Sequence, residues 1–545
     1  MKRLLTFLVL LAAIAAFAFG ADGPVVNTEY GPVQGIHPDT SLPDVVEYRG
    51  IPFAAPPVGD LRWKAPQDPE PWTEVLVCDT YAPIPMQVLG GATAQPYDQD
   101  FYFDGVPEMS EDCLYLNVVT TETNIAEGGK PVFVWFHGGG LNSCYTFEPE
   151  ANGAEMAERG IVVVSVEQRL GPFGYLALPQ LTEEQGQSGN YGLMDQIKAM
   201  EWVRDNIAQF GGDPDNITAG GQSGGTTKSM AMLMSPEMDV KVNRLILESG
   251  LKYRQSYPTN ADAEAQGERY LEDLGLDPAI TLDELRAIPA DGLIDNTSAN
   301  YPQAMNQDGL YVVYPDNYDA IMVGVFDNVQ ILSGTNLGEG SYPASATADA
   351  FYAGFRAELG DELYDAYDFE NLVKVTDVSA QTTARQLGTY GLGSNVSRNL
   401  MVNRLYGAMI AERTNGETKN YTYLFSHFTP ESVSDIGTAR SAAEQWAWHS
   451  SEMWYTFDSL KPGLPAVREW TDYDYQLADI MCDAWVSFIK TGDPNNATLP
   501  VEWPVADDGM GYIQFGNGIS AHTGELTKLE QLMADYTTQE FGPAN

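Results

Sequence analysis

The amino-acid sequence predicts an α/β fold: a large, mostly parallel central sheet with helices on both faces and a helical insertion. Three observations predict it. Four short apolar runs read as buried strands, at Pro131–Phe136, Gly160–Val166, Arg244–Ser249 and Val329–Gly334. Between them lie segments such as YGLMDQIKAMEWVRDNIAQF, whose apolar residues recur at intervals of three and four, as on one face of a helix. Strands that alternate with helices pair in parallel and are covered on both sides. Finally, 545 residues at 44% hydrophobic content supply a sizeable core and exclude wholesale disorder. From Ser341 to about Thr418 no strong strand is visible, so this stretch is read as the insertion, a set of helices over one end of the sheet. No repeat or low-complexity linker divides the chain, which reads as one domain over residues 21–545.

Residues 1–20 read as a signal peptide. Lys2 and Arg3 give the positive start, an apolar run reaches Phe19, and Ala18 and Gly20 are the small residues of a cleavage site near Ala21. The alternative, a membrane anchor, is disfavoured because the run is short for a span of about 20 residues. No later stretch is apolar enough for stable membrane insertion, and the ending FGPAN is not a retention tail. A secreted or periplasmic protein is therefore expected. The 29 basic and 76 acidic residues leave a net charge of −47, which excludes nucleic acid as a partner. Such an excess of carboxylates resembles proteins adapted to high salt. The four cysteines, Cys78, Cys113, Cys144 and Cys482, contain no CxxC pair and suggest no metal site. Export permits disulfides.

The chemistry starts at GGQSGG, Gly220–Gly225. A short strand candidate, DNITA, precedes it, and a helix candidate, TTKSMAMLMSP, follows. Strand, sharp turn and helix around G-x-S-x-G form a nucleophile elbow, which lifts the Ser223 hydroxyl to the C-terminal edge of the sheet. A serine hydroxyl needs a base, and the base an orienting acid. Among the five histidines, His427, His449 and His522 follow the serine, as the α/β-hydrolase order Ser–acid–His requires. His427 lies in the strand-like YTYLFSHF and His522 in a polar stretch near the C-terminus. His449, among the aromatic residues of QWAWHSSEMWYTF, is favoured, although spacing alone leaves the choice open. Upstream, His137–Gly140 spell HGGG directly after a strand, the loop type that offers bare amides to a developing oxyanion.

These motifs sit in a longer pattern. YRGIPFAAPPVGDLRWKAPQ, EDCLYLNV, EQRLGPFGYLAL, GNYGLMDQIKAMEWVRDNIAQFGGDPDNIT and WVSFIKTGDPN follow one another along nearly the whole mature chain. In this the chain resembles the type-B carboxylesterases, the α/β-hydrolase family that includes the cholinesterases. The resemblance implies Ser223 as acyl-enzyme nucleophile and His449 as general acid–base. Through GTNLGEGS it implies Glu339 as the acid, and it makes Gly139, Gly140 and Gly224 the oxyanion donors. It also implies a Cys78–Cys113 disulfide, closing a loop of about 35 residues and contributing about 3.8 kcal/mol in the chain-entropy model. No cofactor or metal is called for, and the partner is a small-molecule ester.

Three departures stand out. The family usually has glutamate before the nucleophile, and here it is Gln222; a less basic His449, and activity persisting to lower pH, are expected. Gly224 stands where alanine is commoner, which keeps the amide and is expected to be harmless. The first-disulfide loop lacks the choline-binding tryptophan and offers Tyr81, Tyr97, Phe101, Tyr102 and Phe103 instead, so a neutral ester is expected. The strand ITAGG before the elbow is also unusually small. Rival readings are a non-catalytic neuroligin-like binding module, and a lactonase or amidase working with the same residues.

Overall fold

The structure is a computed structural model that describes residues 23–89, 100–101, 107–393, 399–438, 441–465, 468–507 and 509–542. The expected signal peptide, residues 1–20, lies outside the described residues, as do Tyr97, Tyr102 and Phe103.

A sheet of ten strands runs through the molecule. In chain order they are β1 (Val45–Pro52), β2 (Tyr115–Thr121), β3 (Lys130–Phe136), β4 (Val162–Val166), β5 (Gly212–Gln222), β6 (Arg244–Glu248), β7 (Gln330–Asn336), β8 (Tyr421–Phe425), β9 (Tyr512–Phe515) and β10 (Ile519–His522). Their spatial order is β10-β9-β8-β7-β6-β5-β3-β4-β2-β1. The seven strands from β9 to β4 pair in parallel, and antiparallel strands close both edges. All four strands expected from apolar runs are present, within a residue or two at their ends. β5 is longer than DNITA, because the glycines before Ser223 stay paired to both neighbours up to Gly221.

Side chains alternate across each strand and build two cores. Val132, Val134 and Phe136 face the helices α1 (Tyr191–Asn206), α2 (Gly224–Met234) and, further along, the insertion. Phe133 and Trp135 face the opposite layer, where Leu477, Met481 and Trp485 project from a 20-residue helix, Asp472–Thr491. The same alternation places Leu245 and Leu247 in one core and Ile246 in the other. A sheet buried on both sides explains why these strands read as continuous apolar runs. Between Ser341 and Thr418 the described residues form helices only, principally Ala348–Ala366, Ala380–Tyr390 and Leu400–Arg413, as expected for the insertion. No helix among the described residues is long and apolar enough to cross a membrane.

The disulfide is a correction. Cys78 and Cys113 are both buried and both are free thiols. They have different surroundings: Cys78 sits beside Tyr48 and Asp79, whereas Cys113 borders a small cavity lined by Pro85, Met86, Arg169 and Leu170. Proximity in sequence does not bring the two sulfurs together, and burial pushes both thiols up, keeping them protonated.

Candidate active site

The elbow is built as the motif requires. β5 ends at Gln222, α2 begins at Gly224, and Ser223 between them has φ 55° and ψ −117°. A β-substituted residue in this region carries about 1–3 kcal/mol of strain. Its surroundings hold it there: the Ser223 amide donates to Glu248 O at 2.8 Å, and Ser223 O accepts from the Thr226 amide at 3.1 Å. The flanking glycines permit the approach of neighbouring backbone. A Cβ on Gly221 or Gly225 would stand 2.3 or 2.0 Å from the carbonyl oxygen of Phe136. The small strand before the elbow has the same cause, since a Cβ on Gly220 would lie 2.8 Å from Ile246 O.

β3 delivers His137–Gly140 to the same sheet edge. Gly139 and Gly140 have φ of 70° and 62°, and Gly139 O accepts from the Ser143 amide at 3.0 Å, which closes the loop. Gly224 lies directly against Gly140: a Cβ on Gly224 would be 2.5 Å from Gly140 N and 2.2 Å from Gly140 O. The three glycines expected to bind the oxyanion are thus gathered around the nucleophile's helix. Gly140 and Gly224 border a cleft of about 200 Å³.

The third component arrives from β7. Asn336 ends that strand, its amide donates to Glu339 Oε1 at 3.0 Å, and Glu339 Oε2 lies 2.7 Å from His449 Nδ1. The carboxylate is fully buried, while the imidazole is partly exposed. An Nδ1–H donating to a carboxylate fixes the tautomer and leaves Nε2 as the basic nitrogen. The loop carrying His449 is pinned by Gly338 N to Ala447 O at 2.8 Å and by Asn336 Nδ2 to Trp448 O at 2.8 Å. Gln222, the residue before Ser223, places Nε2 3.4 Å from His449 Nδ1, so elbow and imidazole meet. Phe101 packs on Trp448 with ring centroids 5.7 Å apart, part of the aromatic wall beside the histidine.

The other two histidines are occupied elsewhere. His427 bonds Asp474 at 2.8 Å and Asn517 at 3.0 Å, a structural role. His522 lies five strands from the elbow, on β10, stacked on Tyr512 at 4.3 Å.

Sequence reasoning missed several supporting groups. Glu452 accepts from Ser249 Oγ at 2.9 Å and from Asn336 Nδ2, and Glu248 accepts from Trp485 Nε1 at 2.7 Å. Burial, with Glu339 and Glu248 nearby, pushes Glu452 well up, and burial pushes Glu248 up to about 8. Burial thus disfavours the charged form of both carboxyls. The strand-end Glu248 in RLILES was the one visible signal. Beneath the oxyanion loop lie His137, Gln168 and Lys228, all fully buried. Burial pushes His137 well below its usual range and Lys228 down to about 7, and it pushes the neighbouring Glu167 up to about 7.

With this geometry in view, known proteins can be compared. The pattern of the carboxylesterase family matches residues 22–532. Para-nitrobenzyl esterase of Bacillus subtilis is 31% identical over 493 residues, covering 88% of this chain and 92% of that protein. Fumonisin B1 esterase of Sphingopyxis macrogoltabida is 30% identical over 530 residues, covering 95% and 91%. Among solved structures, a PNB esterase superposes with a TM-score of 0.72 at 27% identity, covering 93% of this chain and 99% of the other. A carboxylesterase of Geobacillus stearothermophilus does so with 0.68 at 27%, with the same coverage. The expectations of an α/β-hydrolase fold and of a carboxylic ester hydrolase hold, and the chain belongs to the carboxylesterase family.

Proposed function

We propose that the protein hydrolyses neutral carboxylic esters through an acyl-serine intermediate, with Ser223 as nucleophile, His449 as general acid–base and Glu339 as its orienting acid. One observation carries the assignment: the 2.7 Å contact of His449 Nδ1 with the buried Glu339 carboxylate, beside the glutamine that precedes Ser223. Ser223 Oγ attacks the ester carbonyl carbon as its proton passes to His449 Nε2. The former carbonyl oxygen becomes an oxyanion facing the amides of Gly139, Gly140 and Gly224, each such donor being worth about 10²–10³ in rate. His449 then protonates the departing alkoxide as the C–O bond breaks. A water attacks the acyl-enzyme by the same route and releases the acid.

The lining of the cleft supports a substrate that carries no positive charge. Leu141, Asn142, Thr227, Gln255, Gln303 and Met305 are uncharged, and Lys252 is cationic. No carboxylate lines this cleft among the described residues, so it offers no anionic partner to a quaternary ammonium group. The leader-like residues 1–20 support export, which N-terminal sequencing of the mature protein tests.

The decisive experiment is reaction with a fluorophosphonate ester followed by peptide mass spectrometry, alongside turnover of a p-nitrophenyl ester. A single phosphonyl adduct on Ser223, and a loss of at least about 10³-fold in kcat in Ser223→Ala, are expected. An unlabelled, inactive wild type would instead place the chain with binding modules of this fold.

A further inference from the structure

Lys228 stands out among the described basic residues: burial pushes it down to about 7, and its amino group donates hydrogen bonds with or without the extra proton. It sits in the second turn of α2, five residues after Ser223, and is fully buried. A cation near a helix N-terminus opposes the helix dipole, and burial without a charge partner costs further stability. No carboxylate of the described residues forms an ion pair with it; Glu167 and Glu148 act only at longer range. Its partners are neutral acceptors. The ammonium donates to His137 O at 2.9 Å and Gly138 O at 3.3 Å, and, with the Gln168 amide turned to suit its neighbours, to Gln168 Oε1 at 3.1 Å. His137 Nδ1 lies 3.4 Å away.

The acceptors matter because of what lies on the far side of the peptide. The Gly138 carbonyl and the Gly139 N–H belong to one planar amide. Donation to that carbonyl draws electron density toward its oxygen and makes the N–H a stronger donor, since hydrogen bonds in series polarise one another. We propose that Lys228 is a positioning residue of the oxyanion hole: it clamps the His137–Gly138 carbonyls from beneath and strengthens the Gly139 amide for the oxyanion. The ammonium touches no substrate and acts through the Gly138–Gly139 peptide. Its effect grows as negative charge develops on the reacting oxygen, so it belongs to the transition state rather than to the bound ester.

This inference rests on Ser223 being the nucleophile, and the test separates the two. Wild type, Lys228→Met and Lys228→Gln are compared for kcat and KM on a p-nitrophenyl ester. Their affinities are measured for a trifluoromethyl ketone, whose hemiketal oxyanion occupies the hole, and for an ether isostere of the ester, which forms no oxyanion. Lys228→Met is expected to lower kcat by about 10–50-fold with KM within threefold, less than removal of a donor itself. It is expected to weaken the ketone by a similar factor and to leave the ether unchanged, with Lys228→Gln, a neutral donor, in between. An unchanged kcat and ketone affinity in either folded variant overturns the proposal. So does equal loss of ketone and ether, or failure of both variants to fold, since each marks a purely structural lysine. A wild type that neither turns over ester nor binds the ketone removes the nucleophile assignment itself.

Discussion

Gln222 is a single-atom change from the usual glutamate, yet its place makes it consequential. Its amide lies 3.4 Å from His449 Nδ1, on the nitrogen that already faces Glu339. A carboxylate at 222 would place a second anion about 5 Å from the imidazolium charge, an attraction of about 3 kcal/mol at an effective dielectric near 20. Partial exposure of the imidazole reduces this to an effect on the order of one to two pH units. The sign follows from the mechanism: the base must be neutral to take the Ser223 proton, and an added anion favours the protonated form. Gln222→Glu should therefore move the acidic limb of the kcat/KM profile upward by about one unit or more. An acidic limb that stays in place would show that the amide is not what sets it.

At the scale of elements, the site depends on how closely two of them meet. The oxyanion loop after β3 and the first turn of α2 touch at Gly140 and Gly224, so the glycine expected to be a harmless replacement for the commoner alanine sits where little space remains for a side chain. In Gly224→Ala the added methyl would stand 2.2 Å from Gly140 O and 2.5 Å from Gly140 Cα, backbone that can yield only if the loop moves. We expect a loss of about 1–3 kcal/mol of stability and at least a tenfold fall in kcat, read by chemical denaturation and by turnover. Full activity in the variant would mean that the loop adapts freely. This contact also marks what the sequence could convey. HGGG and GGQSGG each announce a loop of bare backbone beside a strand, and the strands announce themselves because residues such as Val132 and Phe133 face two different cores. Contacts across long separations stay silent: Gln222 and His449 are 227 residues apart, and His449 and Glu339 are 110 apart. Glu339 was identifiable only through the family pattern for that reason. Lys228 carries no local signal, because nothing in its neighbourhood of sequence records that the oxyanion loop covers it. The Cys78–Cys113 bridge implied by the family resemblance is absent, because a family pattern carried onto the cysteines of this chain does not by itself bring their sulfurs together.

The whole molecule carries a net charge of −47, and many of its few cations are already paired among the described residues. Arg159 alone engages four carboxylates, Asp458 at 2.6 Å, Asp479 at 2.8 Å, and Glu155 and Asp483 at 3.0 Å. Arg62–Glu111, Arg169–Asp195 and Arg468–Asp100 take further cations into buried or nearly buried pairs. With 29 basic residues against 76 acidic ones, such pairing leaves most carboxylates facing one another across the surface. Their mutual repulsion opposes the compact state, and it acts over the Debye length, which falls from about 30 Å at 0.01 M salt to about 3 Å at 1 M. The midpoint of thermal unfolding should therefore rise by several degrees between those concentrations of sodium chloride, most steeply at the low end where screening changes most. Sodium chloride is the right probe because sulfate also strengthens apolar burial and would confuse the two effects. Neutral osmolytes at equal osmolality should leave the low-salt deficit in place, since they do not screen. A midpoint indifferent to sodium chloride would mean that the acidic surface is tolerated at any ionic strength, and would detach it from adaptation to salt.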